Sequence, residues 1–290
     1  MNKLDALVPL DEEPVHYEED HAVYAGDSFK LLDSMAAETA DLVLSDIPYG
    51  LATVKGARGL QEGSSKKLVR KFEGFTDGQA LSALNRMGKV AKRWVVVFCD
   101  YRHIPLFENY TPEGLKFVRF GVWVKPNSAP QLSGDRPAQG WEAVAILHKD
   151  VPGRMQWNGG GHRAVWTHNV VRGKKNATEK PLPLVEQLVS LFSNPGDIVL
   201  DPFCGSGVTG QACKRLGRLS VSIDVRKGQA KIAAQRLKDE VEEDGEPQDM
   251  VVQASGEDST GEVQGDSRGV SDTGLDEGTS DLAEASSSDS

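Results

Sequence analysis

The sequence predicts an α/β protein built on a doubly wound, mostly parallel sheet. Three observations carry that expectation. Strand patterns alternate with helix patterns from Val23 to Leu237. Apolar β-branched runs such as VVV at 95–97 suit central strands covered on both faces. An apolar strand at 198–201 runs into a glycine-rich turn that opens a helix, as at the carboxyl edge of a βα unit.

The strands fall in order at Val23–Ala25, Asp41–Ser45, Trp94–Phe98, Phe117–Val124, Ala143–His148, Ile198–Asp201 and Leu219–Asp224. Each is a short apolar run bounded by turn residues or charges. The helices fall at Ser28–Met35, Gly78–Lys92, Pro181–Phe192, Gly207–Leu216 and Arg226–Lys238, where apolar positions recur every three or four residues. Pro181 suits a first helical turn.

From 239 onward the chain is Asp, Glu, Ser and Gly, a composition that cannot bury enough apolar surface to offset its ordering entropy. The expected organisation is an acidic extension over 1–21, a folded domain over 22–238 and a disordered acidic tail over 239–290. That tail carries 17 of the 43 acidic residues and one basic one, and the remaining 238 residues are net +6. The formal charge of −10 therefore hides a basic body, which suits a polyanionic partner.

No apolar run approaches the roughly 18 residues that span a bilayer, and the N-terminus lacks the apolar core of a secretion signal. A soluble protein in a cytoplasm is expected. Cys99, Cys204 and Cys213 are too few and too scattered for disulfides or zinc. His162 and His168 lack metal spacing, so no metal is expected.

Two basic stretches interrupt the alternation. Residues 51–75 hold six Lys and Arg, and 149–175 hold six against a single Asp. Long loops inside a compact domain are usually functional or disordered. Lys66, Lys67, Arg70 and Lys71 in the first, and Arg154, Arg163, Arg172, Lys174 and Lys175 in the second, are candidate phosphate contacts.

Two motifs carry the chemistry. In the first, Ile198–Asp201 leads into Pro202-Phe203-Cys204-Gly205-Ser206-Gly207, a strand ending in an acid before a glycine turn and a helix start with free N–H groups. One strand later Asp224 is a second acid, placed as the ribose-binding acid is in dinucleotide folds. The spacing fits neither GxGxxG nor GxxxxGK[ST], which argues against NAD and ATP. In the second, Asp41–Ser45 ends in Asp46-Ile47-Pro48-Tyr49. Pro48 drives Ile47 into an extended conformation, so the Asp46 carboxylate and the Ile47 carbonyl become neighbouring acceptors beside an aromatic face. That set suits a planar ring bearing an NH2 group. A plain strand end with Tyr49 in the core is the alternative.

Together these segments resemble motifs IV and I of the amino-group DNA methyltransferases. Their order, DIPY first and DPFCGSG later, is similar to the permuted β-class of that family. Gly26-Asp27-Ser28, Thr178-Glu179-Lys180-Pro181 and Asn194-Pro195-Gly196-Asp197 also match the family pattern. The resemblance covers roughly 22–238 and is most specific over 178–237. It implies a Rossmann-like methyltransferase fold that binds S-adenosylmethionine and double-stranded DNA, and a place in restriction–modification in a prokaryotic or phage-infected cell. A monomer or a homodimer fits equally.

By resemblance, Asp46 and the Ile47 carbonyl accept the amine of a flipped base, with Pro48 fixing the turn and Tyr49 stacking on the ring. Asp201, Pro202, Phe203, Gly205, Ser206 and Gly207 surround the methionine part of the cofactor, Asp224 holds the ribose, Asp27 the adenine amine, and Thr178, Lys180 and Pro181 close the methionine end. Thr178 is alternatively a helix N-cap. Residues 149–176 correspond to a small target-recognition insert, and Trp123–Asn127 either lines the base pocket or forms an ordinary turn. An Asp at the head of the motif points to adenine N6. Cytosine N4 methylation, a catalytically inactive DNA-binding regulator, and a methyltransferase of RNA or protein are the alternatives. The family usually has DPPY, and Ile47 in place of its first proline loses ring rigidity worth about 1 kcal/mol.

Overall fold

The computed structural model describes residues 4, 13–50, 74–171 and 179–239. Among them, nine strands form one sheet: β1 His16–Tyr17, β2 His21–Ala25, β3 Ala40–Asp46, β4 Ala91–Cys99, β5 Leu115–Val124, β6 Trp141–Lys149, β7 Val165–Thr167, β8 Ile198–Asp201 and β9 Leu219–Asp224. The helices are α1 Ser28–Ser34, α2 Asp77–Val90, α3 Ile104–Asn109, α4 Leu182–Phe192, α5 Val208–Arg215 and α6 Lys227–Lys238. The strand order is β1-β2-β9-β8-β3-β4-β6-β5-β7.

The run β2-β9-β8-β3-β4 is parallel throughout. Beyond β4 the sheet turns antiparallel through β6 and β5, and β7 then lies parallel on β5. The predicted alternation thus gives a mixed sheet whose central half is parallel. Periodicity marks a strand but carries no direction, so the reversal at β6 is not visible in it.

Alternate residues of the central strands feed opposite cores. In β4, Val95, Val97 and Cys99 pack with α1, α2 and α3, whereas Trp94, Val96 and Phe98 pack with α4 and α5. Helix α6 covers Val23 of β2 through Ala230, Ala233 and Leu237. Both faces are covered, which explains continuous apolar runs in place of polar–apolar alternation.

Local chemistry sets the helix ends. Thr76 and Gln79 close a capping box at the start of α2, and Asp27 caps α1 by accepting from the Phe29 and Lys30 amides. Pro181 stands one place earlier than expected, as the N-cap of α4, and Pro183 occupies the first turn. Ala91 and Lys92 belong to β4 and not to the preceding helix. Gly207 takes φ +81° ahead of α5, and a Cβ there would lie 2.5 Å from that of Ala233. This glycine therefore serves the close approach of α6 as well as the turn.

Strand β8 continues through α5 to β9 on one side, while β3 continues through α2 to β4 on the other. The boundary between β8 and β3 is the topological switch point, where open α/β sheets form their ligand crevice. The two sequence motifs, 155 positions apart in the chain (Asp46 and Asp201), meet there.

Candidate active site

A cavity of about 880 Å³ opens at the carboxyl ends of β8 and β3. Its wall contains Asp27, Asp46, Ile47, Pro48, Tyr49, Lys180, Asp201, Phe203, Gly205, Ser206 and Asp224. These eleven sequence-predicted residues come from five separate stretches of the chain.

One half of the cavity is a glycine turn braced by acids. Asp224 accepts from the Gly205 amide (3.1 Å) and from the amide and guanidinium of Arg226. Asp201 is buried, and its two oxygens accept from the Ser45 and Thr209 hydroxyls (2.6 Å each) and from the Phe203 amide (3.1 Å). Burial pushes its carboxyl up to about 6. With both oxygens engaged, Asp201 ties β3, β8 and α5 together beneath the turn. The Pro202 carbonyl accepts from Ser28 (2.5 Å), linking the turn to α1. Ser206 donates to Glu179 (2.8 Å), which also holds Arg236 of α6 (3.0 Å). Phe29, Phe75 and Phe203 form an aromatic wall with ring centroids 5.5–6.4 Å apart.

The other half is a buried charge cluster. Lys180 Nζ lies 2.5 Å from Asp46 Oδ2 and 3.0 Å from Glu142 Oε1. Tyr49 donates its hydroxyl to the same Glu142 oxygen (3.2 Å), and Lys125 holds the other (2.7 Å). The Lys180 ammonium also lies 5.0 Å from the Phe98 ring centroid and 5.9 Å from that of Tyr49. Burial pushes Asp46 up to about 6, assisted by the charge of Glu142 and opposed by Lys180. Burial alone would push Lys180 down, but the two carboxylates overcome it and hold the ammonium well above its ordinary range. Asp46 Oδ1 is buried and has no hydrogen-bond partner among the described residues.

Ile47 is buried, and its amide donates to the Phe98 carbonyl (3.3 Å). Proline has no N–H to make that bond, so isoleucine exchanges ring rigidity for an extra rung on β4. Burial pushes all three cysteine thiols up, so none is a ready thiolate.

Several expected residues stand elsewhere. Arg154 is exposed beside Gln156, whose carbonyl accepts from Trp94 at the start of β4. It therefore lies toward the edge of the sheet opposite the cavity. Arg163 is exposed just ahead of β7. Lys66, Lys67, Arg70, Lys71, Arg172, Lys174, Lys175 and Thr178 lie outside the described residues, as does the tail beyond Asp239. His168 pairs with Gln187 of α4 (2.8 Å). In the Trp123–Asn127 stretch, Lys125 reaches the charge cluster and Asn127 is tied to Val170 by two hydrogen bonds.

Sequence reasoning missed Glu142. The available signal was one acid at the second position of an otherwise apolar strand, WEAVAIL; a carboxylate there needs partners.

Residues 40–235 match the profile of the DNA methylases of the N6/N4 amino-group type. The chain belongs to this DNA methylase family. Curated relatives of this DNA methylase include the type II methyltransferase M2.LlaDCHI of Lactococcus lactis subsp. cremoris, 28% identical over 256 residues, which span 77% of this chain and 91% of the relative. The type II methyltransferase M2.DpnII of Streptococcus pneumoniae is 29% identical over 245 residues, 74% of this chain and 89% of the relative. Among solved structures, the M1.HpyAVI–SAM complex aligns with TM-score 0.55 at 26% identity over 75% of this methylase and 100% of that chain. The cytosine-N4-specific PvuII DNA methyltransferase shares the fold, with TM-score 0.63 at 17% identity over 80% of this chain and 91% of that one.

Proposed function

We propose that this DNA methylase transfers a methyl group from S-adenosylmethionine to N6 of adenine in double-stranded DNA. One observation carries the reading: a buried carboxylate oxygen without a partner, Asp46 Oδ1, stands in the wall of a cavity shared with Tyr49 and with the acid-braced glycine turn. A buried acceptor left unsatisfied is costly, and an amine donor would relieve it.

The residues of the cavity fit the cofactor. The amides and φ +53° backbone of the Gly205 turn suit a close-lying polar ligand, and Asp224 and Asp27 supply acceptors for its hydroxyl and amine donors. S-adenosylmethionine bound there would supply an activated methyl group. Asp46 and the Ile47 carbonyl would take the two protons of the amine as hydrogen bonds, leaving the nitrogen lone pair directed outward, and Tyr49 would stack on the ring. A base inside a duplex hides that amine, so it must be flipped out to reach Asp46. Much of the rate would then come from positioning. Lys66, Lys67, Arg70 and Lys71, with Arg163, Arg172, Lys174 and Lys175, are the residues we would assign to phosphates. A cytoplasmic enzyme, monomeric or dimeric, fits this role.

Transfer of a tritiated methyl group to plasmid and phage DNA, followed by modified-base sequencing, tests the reading. Methyladenine in a short sequence context is expected. Methylcytosine alone would move the assignment to N4, and no transfer to any DNA would favour a regulator. For the cofactor half, Asp224→Ala should weaken S-adenosylmethionine binding by roughly 1.5–3 kcal/mol, because a charged acceptor is lost and the Gly205 amide is released. Titration calorimetry reads this directly, and unchanged affinity in a folded variant would remove Asp224 from the site.

A further inference from the structure

We propose that Glu142 is a positioning residue for methyl transfer, one carboxylate that sets both the acceptor Asp46, through Lys180, and the stacking residue Tyr49. The proposal rests on the functional reading above and extends it to a residue outside both motifs.

Glu142 stands at the start of β6, which runs antiparallel to β4, so it reaches the carboxyl edge of the sheet beside the cavity. Only 6% of its surface is exposed, and both of its oxygens are used. Oε1 takes the Tyr49 hydroxyl and the Lys180 ammonium, and Oε2 takes Lys125. The partners come from three places: the DIPY turn, the segment ahead of α4, and the end of β5. A residue needed only to fill space would leave such a site apolar, since replacing buried ion pairs by hydrophobic groups is often neutral for stability.

The charge count gives Glu142 its effect. Asp46 and Glu142 balance Lys180 and Lys125, so the cluster is neutral only when Asp46 is ionised. The other groups around Asp46 are Asp201 from β8, Tyr49 from its own turn and the neutral thiol of Cys99 at the end of β4. Without Glu142, Lys180, which already lies 2.5 Å from Asp46, would keep one carboxylate in place of two and lose the contact that fixes its ammonium from the other side. The Tyr49 hydroxyl would lose its acceptor and the ring its fixed tilt. Misplacement on the order of an ångström costs about 100-fold in rate.

The test is single-turnover methyl transfer at saturating S-adenosylmethionine across pH, for wild type and for Glu142→Gln, Glu142→Asp and Lys125→Met. Glu142→Gln should lose about 100-fold in rate with little change in cofactor affinity. Its acid limb should move to lower pH, because a negative charge that raises the Asp46 titration has been removed. Lys125→Met removes a positive charge, so its limb should move the opposite way. Glu142→Asp keeps the charge and should recover the wild-type limb with part of the rate. Opposite shifts support the proposal. An unmoved limb in both charge-changing variants, or a Glu142→Gln rate equal to wild type, overturns it. Should Glu142→Gln fail to fold, the Lys125→Met and Glu142→Asp limbs decide alone. A wild-type enzyme inactive on every DNA would overturn the functional reading itself, whereas an active wild type with unmoved limbs would sink only the role of Glu142.

Discussion

Asp46→Ala should slow methyl transfer by about 10²–10³-fold while leaving S-adenosylmethionine affinity near the wild-type value. The carboxylate lies in the charge cluster with Lys180 and Glu142, whereas the acids that brace the glycine turn, Asp201 and Asp224, have their own partners. Removing a preorganised group aimed at the reacting atoms costs about 10²–10³ in rate. Asp46→Asn keeps an acceptor oxygen and should retain part of that. The wild-type pH profile gives an independent check. Burial holds the Asp46 carboxyl at about 6, above its ordinary value. The protonated acid is a weaker acceptor for an amine, so the rate should rise with pH through about 6 and level off above it. A full-rate alanine variant, or a limb unchanged on substituting Asp46, would remove this residue from the chemistry.

The parts of the site that were legible in the sequence are those where meaning is local. Asp46-Ile47-Pro48-Tyr49 and Asp201–Gly207 each combine a strand end, a turn and a ligand group within ten residues. That the two meet at the switch point is visible only in the pairing of β3 with β8. Elements with too few residues for a period were not legible: β1 has two, β7 three, and α3 six with a proline in its first turn. Glu142 was hidden for another reason. Its contact with Tyr49 spans 93 positions and depends on β6 running antiparallel to β4, and neither fact leaves a mark on the local sequence. Lys180 shows the same limit, since family resemblance assigns it to the methionine end while the fold sets its ammonium on Asp46.

Lys180→Met separates those two roles and should have the largest effect on stability. Methionine nearly conserves the volume, so the change removes a charge without leaving a large cavity. Asp46 and Glu142 would then face each other with Lys125 as the remaining cation of the cluster, and breaking a buried pair by removing one partner costs about 3–5 kcal/mol. For a domain of this size each kcal/mol moves Tm by about 2–4 °C, so a drop on the order of 10 °C is expected near neutral pH. The sign of its pH dependence follows from the carboxylates. Without the ammonium the Asp46 titration, already above its ordinary value, rises further and Glu142 loses a charge that holds it down, so the folded variant binds more protons than the unfolded chain across that window. Stability of the variant therefore falls as pH rises through it. The Tm gap between wild type and variant should be widest above neutrality and narrow as the pH approaches 5. The acid limb of any residual activity should move upward, opposite to Glu142→Gln, while calorimetric affinity for S-adenosylmethionine stays close to wild type. A variant with unchanged Tm and lost cofactor affinity would mean that Lys180 serves the methionine end when the site is filled, and that its contact with Asp46 does not govern the chemistry.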